Sequence, residues 1–435
     1  MRFFLDKARR EHRLTVVTDE IDPHLEMAVV IDRLEGQPLL FERVRGNDHP
    51  VAASLCGARS NLALDLGLEV GQLLFTLAHA LEHPSEPVVI DAGPCQEVVE
   101  EQIDLATLPI LTHLPQDAGP YVTAGVAVTR DPDYGRNASF HRLLLLDRNH
   151  LVARLVEGRG TDTLLKKSPG DVEVAICIGN SLPVLVAAAT SVSPNVDEFS
   201  IANALRPTPL VRCLTVDLEV PAQTEIVLEG RFTQATAPEG PFLDLTGTMD
   251  LVRPGPIVEI TCITHRHDAI YQALLPGGLE HKLLMGLPRE PTIFAEVSEI
   301  CRCLNVLLTP GAGTWLHGVV QIEKQNAEDG RRAIEAAFRG HPSMKHVVVV
   351  EDDIDIYDSN DVEWAIATRF QAGRDLLVLE NQPSSSLDPS ATHIPGEKTR
   401  TTKMGLDATI PWSKPNGEPR SVEERAAFKR IRYQE

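Results

Sequence analysis

Two acids stand five residues apart in "APEGPFLD", Ala237 to Asp244, with Gly240 and Pro241 between them. Glu239 and Asp244 therefore sit on a segment that bends. Two carboxylates aimed at one place can move a proton, provided a cation holds them. Taken alone, the pattern is equally that of a solvated turn with incidental acids. Upstream, "GRNASFHRLLLLD" sets Asn137 and Arg142 at the start of an apolar run. An Arg beside a buried run must find an anion or carry its head to the surface. The odd separation puts Asn137 and Arg142 on opposite faces of a regular strand unless the segment bulges. Glu198 in "NVDEFSIANALR" opens a helix, where a carboxylate favours the positive end of the dipole and capping alone accounts for it.

The order and wording of these blocks carry more than each does singly. "RNASFHR", "DEFSIANALR", "VDLEVPAQTEIVLEG", "EGPFLD", "VEDDIDIYDSNDVEWAIATR" and "TKMGLDAT" together resemble the UbiD family of decarboxylases, which use prenylated FMN. The resemblance runs from about residue 115 to 412, with a weaker match before it. It implies a catalytic network of Glu239, Arg142 and Asp244. An Arg between two carboxylates holds them by charge-assisted bonds, and burial moves a carboxyl pKa up toward the working pH.

The resemblance further implies that Asn137, Ser139, Phe140, His141, Arg142, Glu198 and Lys403 bind the cofactor. Lys403 in "TTKMGLDAT" matches a lysine on its phosphate. Asn137 and Glu198 match two ligands of a divalent ion, Mn2+ or Mg2+, with K+ as a further candidate; hard oxygen donors suit such ions. The family's histidine ligand is missing. The chain reads "LVARLVEGRGTD" there, so Glu157 replaces it, or water does, or the alignment slips by a residue or two. In "LLPGGLEHKLLMGLPRE", Glu280 and His281 fall at a helix start and Arg289 about two turns on or just past the helix end. His281 and Arg289 resemble the substrate pair of the branch acting on furan-2,5-dicarboxylate, where an Arg holds a second carboxylate.

The elements that must position these residues are of mixed type. "MRFFLDKARREHRL" and "GQLLFTLAHALEHP" have helical periodicity, while "PLLFERV" and "EPVVIDAG" are strand-like. The middle of the chain alternates strand-like runs with turn signals, interrupted by one helix near "NVDEFSIANALR". In the last third "REPTIFAEVSEICRCL" and "EDGRRAIEAAFRGHP" are helical and "VLLTPG" and "KHVVVVEDDIDIYD" extended. "NQPSSSLDPSATHIPGEKTRTTKMG" has the composition of a loop. The fold class expected is α+β. An N-terminal α/β domain spans 1–115. A sheet-rich central domain spans 116–295, and the resemblance implies that it is a split barrel like the flavin reductases and carries cofactor and chemistry. A C-terminal α/β domain spans 296–435, and the resemblance implies that it serves oligomerisation and carries the cofactor-phosphate loop.

With 43% hydrophobic and 24% charged residues the composition is globular. A net charge of −21 argues against general nucleic-acid binding, which needs Lys and Arg against phosphates. No apolar run is long enough for a membrane span and the N-terminus lacks a signal-peptide pattern, so a cytoplasmic location is expected. The seven cysteines lie mostly in apolar runs and are expected to be reduced thiols. The resemblance implies reversible, non-oxidative decarboxylation of a heteroaromatic or aromatic acid, with furan-2,5-dicarboxylate first. The alternatives are a phenolic, isoprenoid-pathway or other α,β-unsaturated acid, or a non-catalytic flavin-binding subunit. The partners implied are a flavin prenyltransferase as cofactor supplier and further copies of the chain, as a dimer or hexamer.

Overall fold

The strand-like runs of the middle region pair into one nine-stranded sheet in the computed structural model, which describes residues 1–394 and 397–432. Along the sheet lie Tyr121–Val122, Leu143–Leu145, His150–Ala153, Arg253–His265, Ile226–Glu239, Val172–Ile178, Val126–Asp131 and Gly135–Phe140. Every neighbouring pair is antiparallel, and Val98–Val99 adds to the end of Arg253–His265. Period-two alternation fixes its faces. Val174, Ile176 and Ile178 point into a cluster with Ile226, Leu228, Phe232, Val258 and Ile260.

The two longest strands twist and bulge around Gly230, where a Cβ would meet Glu259 O at 2.0 Å. Their far ends pair Glu239 with Arg253. Just beyond, Phe242–Leu243 and Met249–Asp250 form a small hairpin. The sheet thus delivers Glu239 at a strand end and hands the chain directly to the turn carrying Asp244.

Backbone contacts divide the chain into two units, Met1–Leu284 and Met285–Glu435. In the first, helices Arg2–Arg10 and Leu73–Glu82 form where the periodicity places them. Three helices, not one, interrupt the middle strands: Gly160–Lys167, Leu182–Ala189 and Glu198–Leu205. The second, "LPVLVAAA", is apolar all round, so it carries no amphipathic signal; it packs on Glu198–Leu205 and the strand Gly135–Phe140. A four-stranded sheet runs Thr15–Val17, Leu39–Phe41, Val51–Ala53, Tyr271–Ala273, so the chain returns to its N-terminal region after the large sheet.

Glu280, at the start of helix Leu279–Gly286, reaches back to that region and accepts from Cys56 N at 2.8 Å. Burial pushes its carboxyl up to about 7, against the pull of the backbone N–H groups of residues 54–56. A buried acid raised in this way binds more protons folded than unfolded. Its contribution to stability is complete below its unfolded value and is lost as pH rises through about 7. Thermal unfolding between pH 5 and 8 is therefore expected to show a falling Tm, with a flatter profile in Glu280→Gln. An identical slope in the variant would assign the dependence to other groups.

The second unit is built on a five-stranded sheet in the order Arg302–Leu308, His317–Glu323, His346–Val350, Arg400–Asp407, Leu376–Pro383. Helices Glu290–Ser298 and Asp329–Gly340 pack on each other, and Ser359–Arg369 buries Val362 and Ala365 with Val348 and Val350. The first of these helices stops at Ser298, so Cys303 lies in a strand rather than in the helix expected through "EICRCL". The extended run at "KHVVVVEDDIDIYD" ends at Val350, where the acids begin. The loop expected after 380 is shorter than its composition suggests. "RTTKMGLD" is a strand, paired with His346–Val350 on one side and Leu376–Pro383 on the other. Pro395 and Gly396 of that loop lie outside the described residues. Among the described residues the seven cysteines are unbridged, and no single helix is long and apolar enough to cross a membrane.

Candidate active site

Arg142 lies just past the end of strand Gly135–Phe140, and this step off the strand frees its side chain from the parity that would separate it from Asn137. Its guanidinium gathers three carboxylates. Nε and Nη2 donate to Glu239 Oε1 and Oε2 at 2.8 and 2.9 Å, a bidentate pair. Nη1 donates to Asp244 Oδ2 at 3.1 Å, and Nη2 to Asp250 Oδ2 at 3.0 Å. Four of the five N–H groups of the fork are thereby used. Burial works against the charge, but Glu239 and the two aspartates outweigh it and hold the guanidinium firmly protonated. The Phe242 ring lies 4.8 Å below the guanidinium.

The acids are held unequally. The Glu239 side chain is 1% exposed, and its Oε1 also accepts from Tyr121 Oη at 3.2 Å. Tyr121 Oη in turn accepts from Gly240 N at 3.1 Å. Asp244 is 16% exposed and touches Arg142 through one oxygen, while its Oδ1 accepts from Leu245 N. The bend between them needs Gly240: its φ is +95°, and a Cβ there would stand 3.2 Å from Leu251 O.

Asp250 and Tyr121 are absent from the residues picked out of the sequence. Asp250 sits opposite Phe242 in the hairpin, and Oδ1 accepts from Arg253 Nη1 at 2.5 Å. Arg154 Nε lies 3.5 Å from its Oδ2. Burial raises its carboxyl, but Arg253 and Arg142 bring it below the usual aspartate range. The signal in the sequence was the hairpin itself: "FLDLTGTMD" folded about Gly247 returns an acid to the side of the first one. Asp250→Asn is expected to lower kcat about 10-fold and to shift the acid limb of the pH–rate profile, because it removes one negative charge next to the Arg142–Asp244 pair. An unchanged profile would reduce Asp250 to a brace for the hairpin.

His281 also reaches this cluster. Gly277 N donates to its Nδ1 at 3.1 Å, which leaves the proton of the neutral ring on Nε2. Burial lowers its pKa, Asp244 pulls the other way and Arg142 adds to the lowering. Arg289 belongs to the second unit, in a short turn at Leu287–Arg289, with its guanidinium 5.6 Å from the Trp315 ring centre.

On the strand Gly135–Phe140, Asn137 and Glu198 meet. Asn137 Nδ2 donates to Glu198 Oε1 at 3.1 Å, and Ala138 N to Oε2 at 2.9 Å. Burial pushes Glu198 up to about 7 despite the Ala138 amide. Ser139 Oγ joins Asn137 Oδ1 to His141 Nε2. Phe140 closes the strand opposite Val126. Glu157 is exposed in the turn before helix Gly160–Lys167, and among the described residues no hydrogen bond joins it to Asn137 or Glu198. The residue facing Asn137 from that side is Gly160, whose absent Cβ would lie 3.5 Å from Asn137 Oδ1.

Lys403, in the second unit, is 3% exposed and lies in a strand rather than in the loop expected for it. Its Nζ donates to Pro342 O at 2.6 Å and stands 4.9 Å from the Phe338 ring. Burial lowers it to about 8, and no carboxylate pairs with it among the described residues. In the first unit, a buried carboxylate beside the Asn137 side chain fits a divalent ion; in the second, a buried lysine without an acid fits a phosphate.

The chain belongs to the UbiD family of carboxy-lyases, and the Arg holding several acids at a strand end lies within the family's Rift-related domain. Family models for the 3-octaprenyl-4-hydroxybenzoate carboxy-lyase match its N-terminal domain at 5–81, its Rift-related domain at 87–279 and its C-terminal domain at 282–408. The chain is 41% identical to the anhydromevalonate phosphate decarboxylase of Methanothermobacter thermautotrophicus, over 94% of this chain and 97% of that one. It superposes on the UbiD-class enzyme HmfF of Pelotomaculum thermopropionicum, in complex with FMN, with a TM-score of 0.92 and 38% identity, over 99% and 97% of the two chains. An evolved dimeric form of the same enzyme, in complex with prenylated FMN, matches with a TM-score of 0.87 at 37% identity, over 97% and 96%.

Proposed function

We propose that this chain, with prenylated FMN bound, decarboxylates an α,β-unsaturated acid that carries a second anionic group, and that anhydromevalonate phosphate is the first candidate. The observation that carries the reading is the unequal hold of Arg142 on its acids. The cofactor supplies the electron sink that accepts density as CO2 leaves. Asn137 and Glu198 would hold a divalent ion that supplies positive charge for its phosphate, with Ser139 and Phe140 on the same strand as Asn137 and His141 just past its end. Lys403 is assigned to the phosphate as a proposal of its own. Glu239, clamped through both oxygens, keeps Arg142 in place. Asp244, held at one point and partly open, carries the proton to or from the reacting carbon. The fifth N–H of Arg142 is left to orient the substrate carboxylate.

The curated relative favours the phosphorylated acid over furan-2,5-dicarboxylate. The furan reading is the second one, supported by the neutral His281 beside Asp244 and Arg142 and by the likeness to HmfF. In that reading Arg289 binds the second carboxylate. The test is CO2 release by chain co-expressed with a flavin prenyltransferase, assayed on anhydromevalonate phosphate, furan-2,5-dicarboxylate and a phenolic acid. Turnover of the phosphorylated acid alone supports the first reading. Turnover of the furan acid, with a KM raised in Arg289→Ala only for dicarboxylates, supports the second. Bound cofactor with no release from any acid would favour a non-catalytic flavin-binding subunit. The division at about 115 and 295, the dimeric or hexameric assembly and the cytoplasmic location belong to the same proposal.

A further inference from the structure

Helix Leu279–Gly286 starts after Pro276, Gly277 and Gly278, so no side chain of its own stands at the capping position. The acceptor it lacks comes from the N-terminal region: Glu35 Oε1 accepts from Leu279 N at 2.8 Å. Gly278 makes room for it, since a Cβ there would stand 3.1 Å from the same oxygen. Glu35 lies just past helix Glu26–Arg33, in a turn that is itself tied down, because buried Asn61 donates through Nδ2 to Gly36 O at 3.1 Å.

The same first turn sets the His281 ring. His281 Nδ1 accepts from Gly277 N at 3.1 Å, the reach-back bond of a capping box made with an imidazole. A ring nitrogen that accepts carries no proton, so the proton is on Nε2. Gly277 also lies against the turn of the acids. Its φ is +67°, and a Cβ there would stand 3.3 Å from Asp244 O and 3.2 Å from Leu243 Cδ2. One glycine thus joins the imidazole to the segment that carries Asp244. Glu280 Oε1, accepting from Cys56 N at 2.8 Å, fastens the turn to the N-terminal region at a second point.

We propose that Glu35 is a positioning residue for His281. By holding Leu279 N it fixes the first turn of the helix, and with it Gly277 N against Nδ1, so that Nε2–H is presented in one orientation to an acid substrate. The assignment rests on the proposed function only in taking His281 to face the substrate. Glu35 acts here as an acceptor, so its oxygen is required and its charge is not. Without that oxygen Leu279 N becomes an orphan donor at a helix end, the turn frays, and the ring exchanges between its two tautomers.

The experiment uses the full chain with bound FMN and 15N-labelled histidine, read by nuclear magnetic resonance; the signals that His281→Ala removes belong to His281. The wild type is expected to show the Nε2–H tautomer alone and Glu35→Ala an average of both. Glu35→Gln keeps an oxygen for Leu279 N and should retain the wild-type signals. CO2 release from anhydromevalonate phosphate and furan-2,5-dicarboxylate is measured alongside on the form carrying prenylated FMN. Glu35→Ala is expected to lower kcat/KM about 10-fold, less than the roughly 100-fold that a misplacement of about 1 Å commands, and to have no further effect in the His281→Ala background. Unchanged His281 signals in Glu35→Ala, or an equal rate loss with and without His281, would overturn the assignment and leave Glu35 a brace for the helix. Wild-type kinetics in His281→Ala would overturn it by removing His281 from the substrate. Turnover of neither acid by the wild type would overturn the substrate reading instead, and the 15N signals would still support or overturn the positioning.

Discussion

Turnover falls by about 100-fold in Glu239→Gln, the loss that a misplacement of about 1 Å at a reacting centre commands, because Glu239 holds Arg142 in position. The side chain is fixed at both oxygens by Arg142 and at one by Tyr121. Glutamine keeps the shape and one acceptor but sets an amide N–H₂ against a guanidinium N–H, so the bidentate pair becomes a single bond. The charge that balances Arg142 goes with it. The fork is then free to shift toward Asp244 and Asp250, and Asp244 becomes the more tightly held acid. The rate loss should appear in kcat with bound flavin, read by absorbance, unchanged. Near-normal turnover with full cofactor would remove Glu239 from the chemistry.

Arg142→Leu has the larger effect on stability. It leaves Glu239 at 1% exposure with no cation, while Asp250 keeps Arg253 and Arg154. Breaking a buried ion pair by removing one partner costs about 3–5 kcal/mol, because the charge left behind is uncompensated. The midpoint of urea denaturation should fall accordingly. Arg142→Lys should recover only part of it, since an ammonium is a point donor and cannot span both oxygens of Glu239. A double variant, Arg142→Leu with Glu239→Leu, should regain most of the lost stability. Equal midpoints for wild type and Arg142→Leu would show that solvent, not the fork, supports these acids.

The acids Glu239 and Asp244 were legible because their pattern is local. Gly240, Pro241 and two carboxylates lie within one short stretch, and the bend they imply is the bend observed. Arg142 was legible as a charge at the edge of an apolar run. Asp250 was not, because its role depends on the register of a hairpin and on an Arg more than a hundred residues away. The strand around Lys403 was hidden by its neighbours: Ser, Pro and Gly set a loop composition, and the β-branched Thr401 and Thr402 were read as part of it, although Thr401 pairs with Gln382 and the strand is paired on both sides from Met404 to Leu406. The helix at Leu182–Ala189 escaped for the opposite reason. Burial on all faces erases the period that marks a helix.

All three acids on Arg142 come from a single run of twelve residues, Glu239 to Asp250, whereas the cation arrives from another strand. The acidic half of the centre is thus inherited as one cassette, and recombination outside that run leaves it whole. Substitutions inside it share one guanidinium, so their effects cannot be independent: weakening one carboxylate hands its share of the fork to the other two. Epistasis within the cassette should be strong, and near zero between it and distant surface sites. A library that varies Asp244 and Asp250 together will reach proton affinities that no succession of single changes at either position passes through.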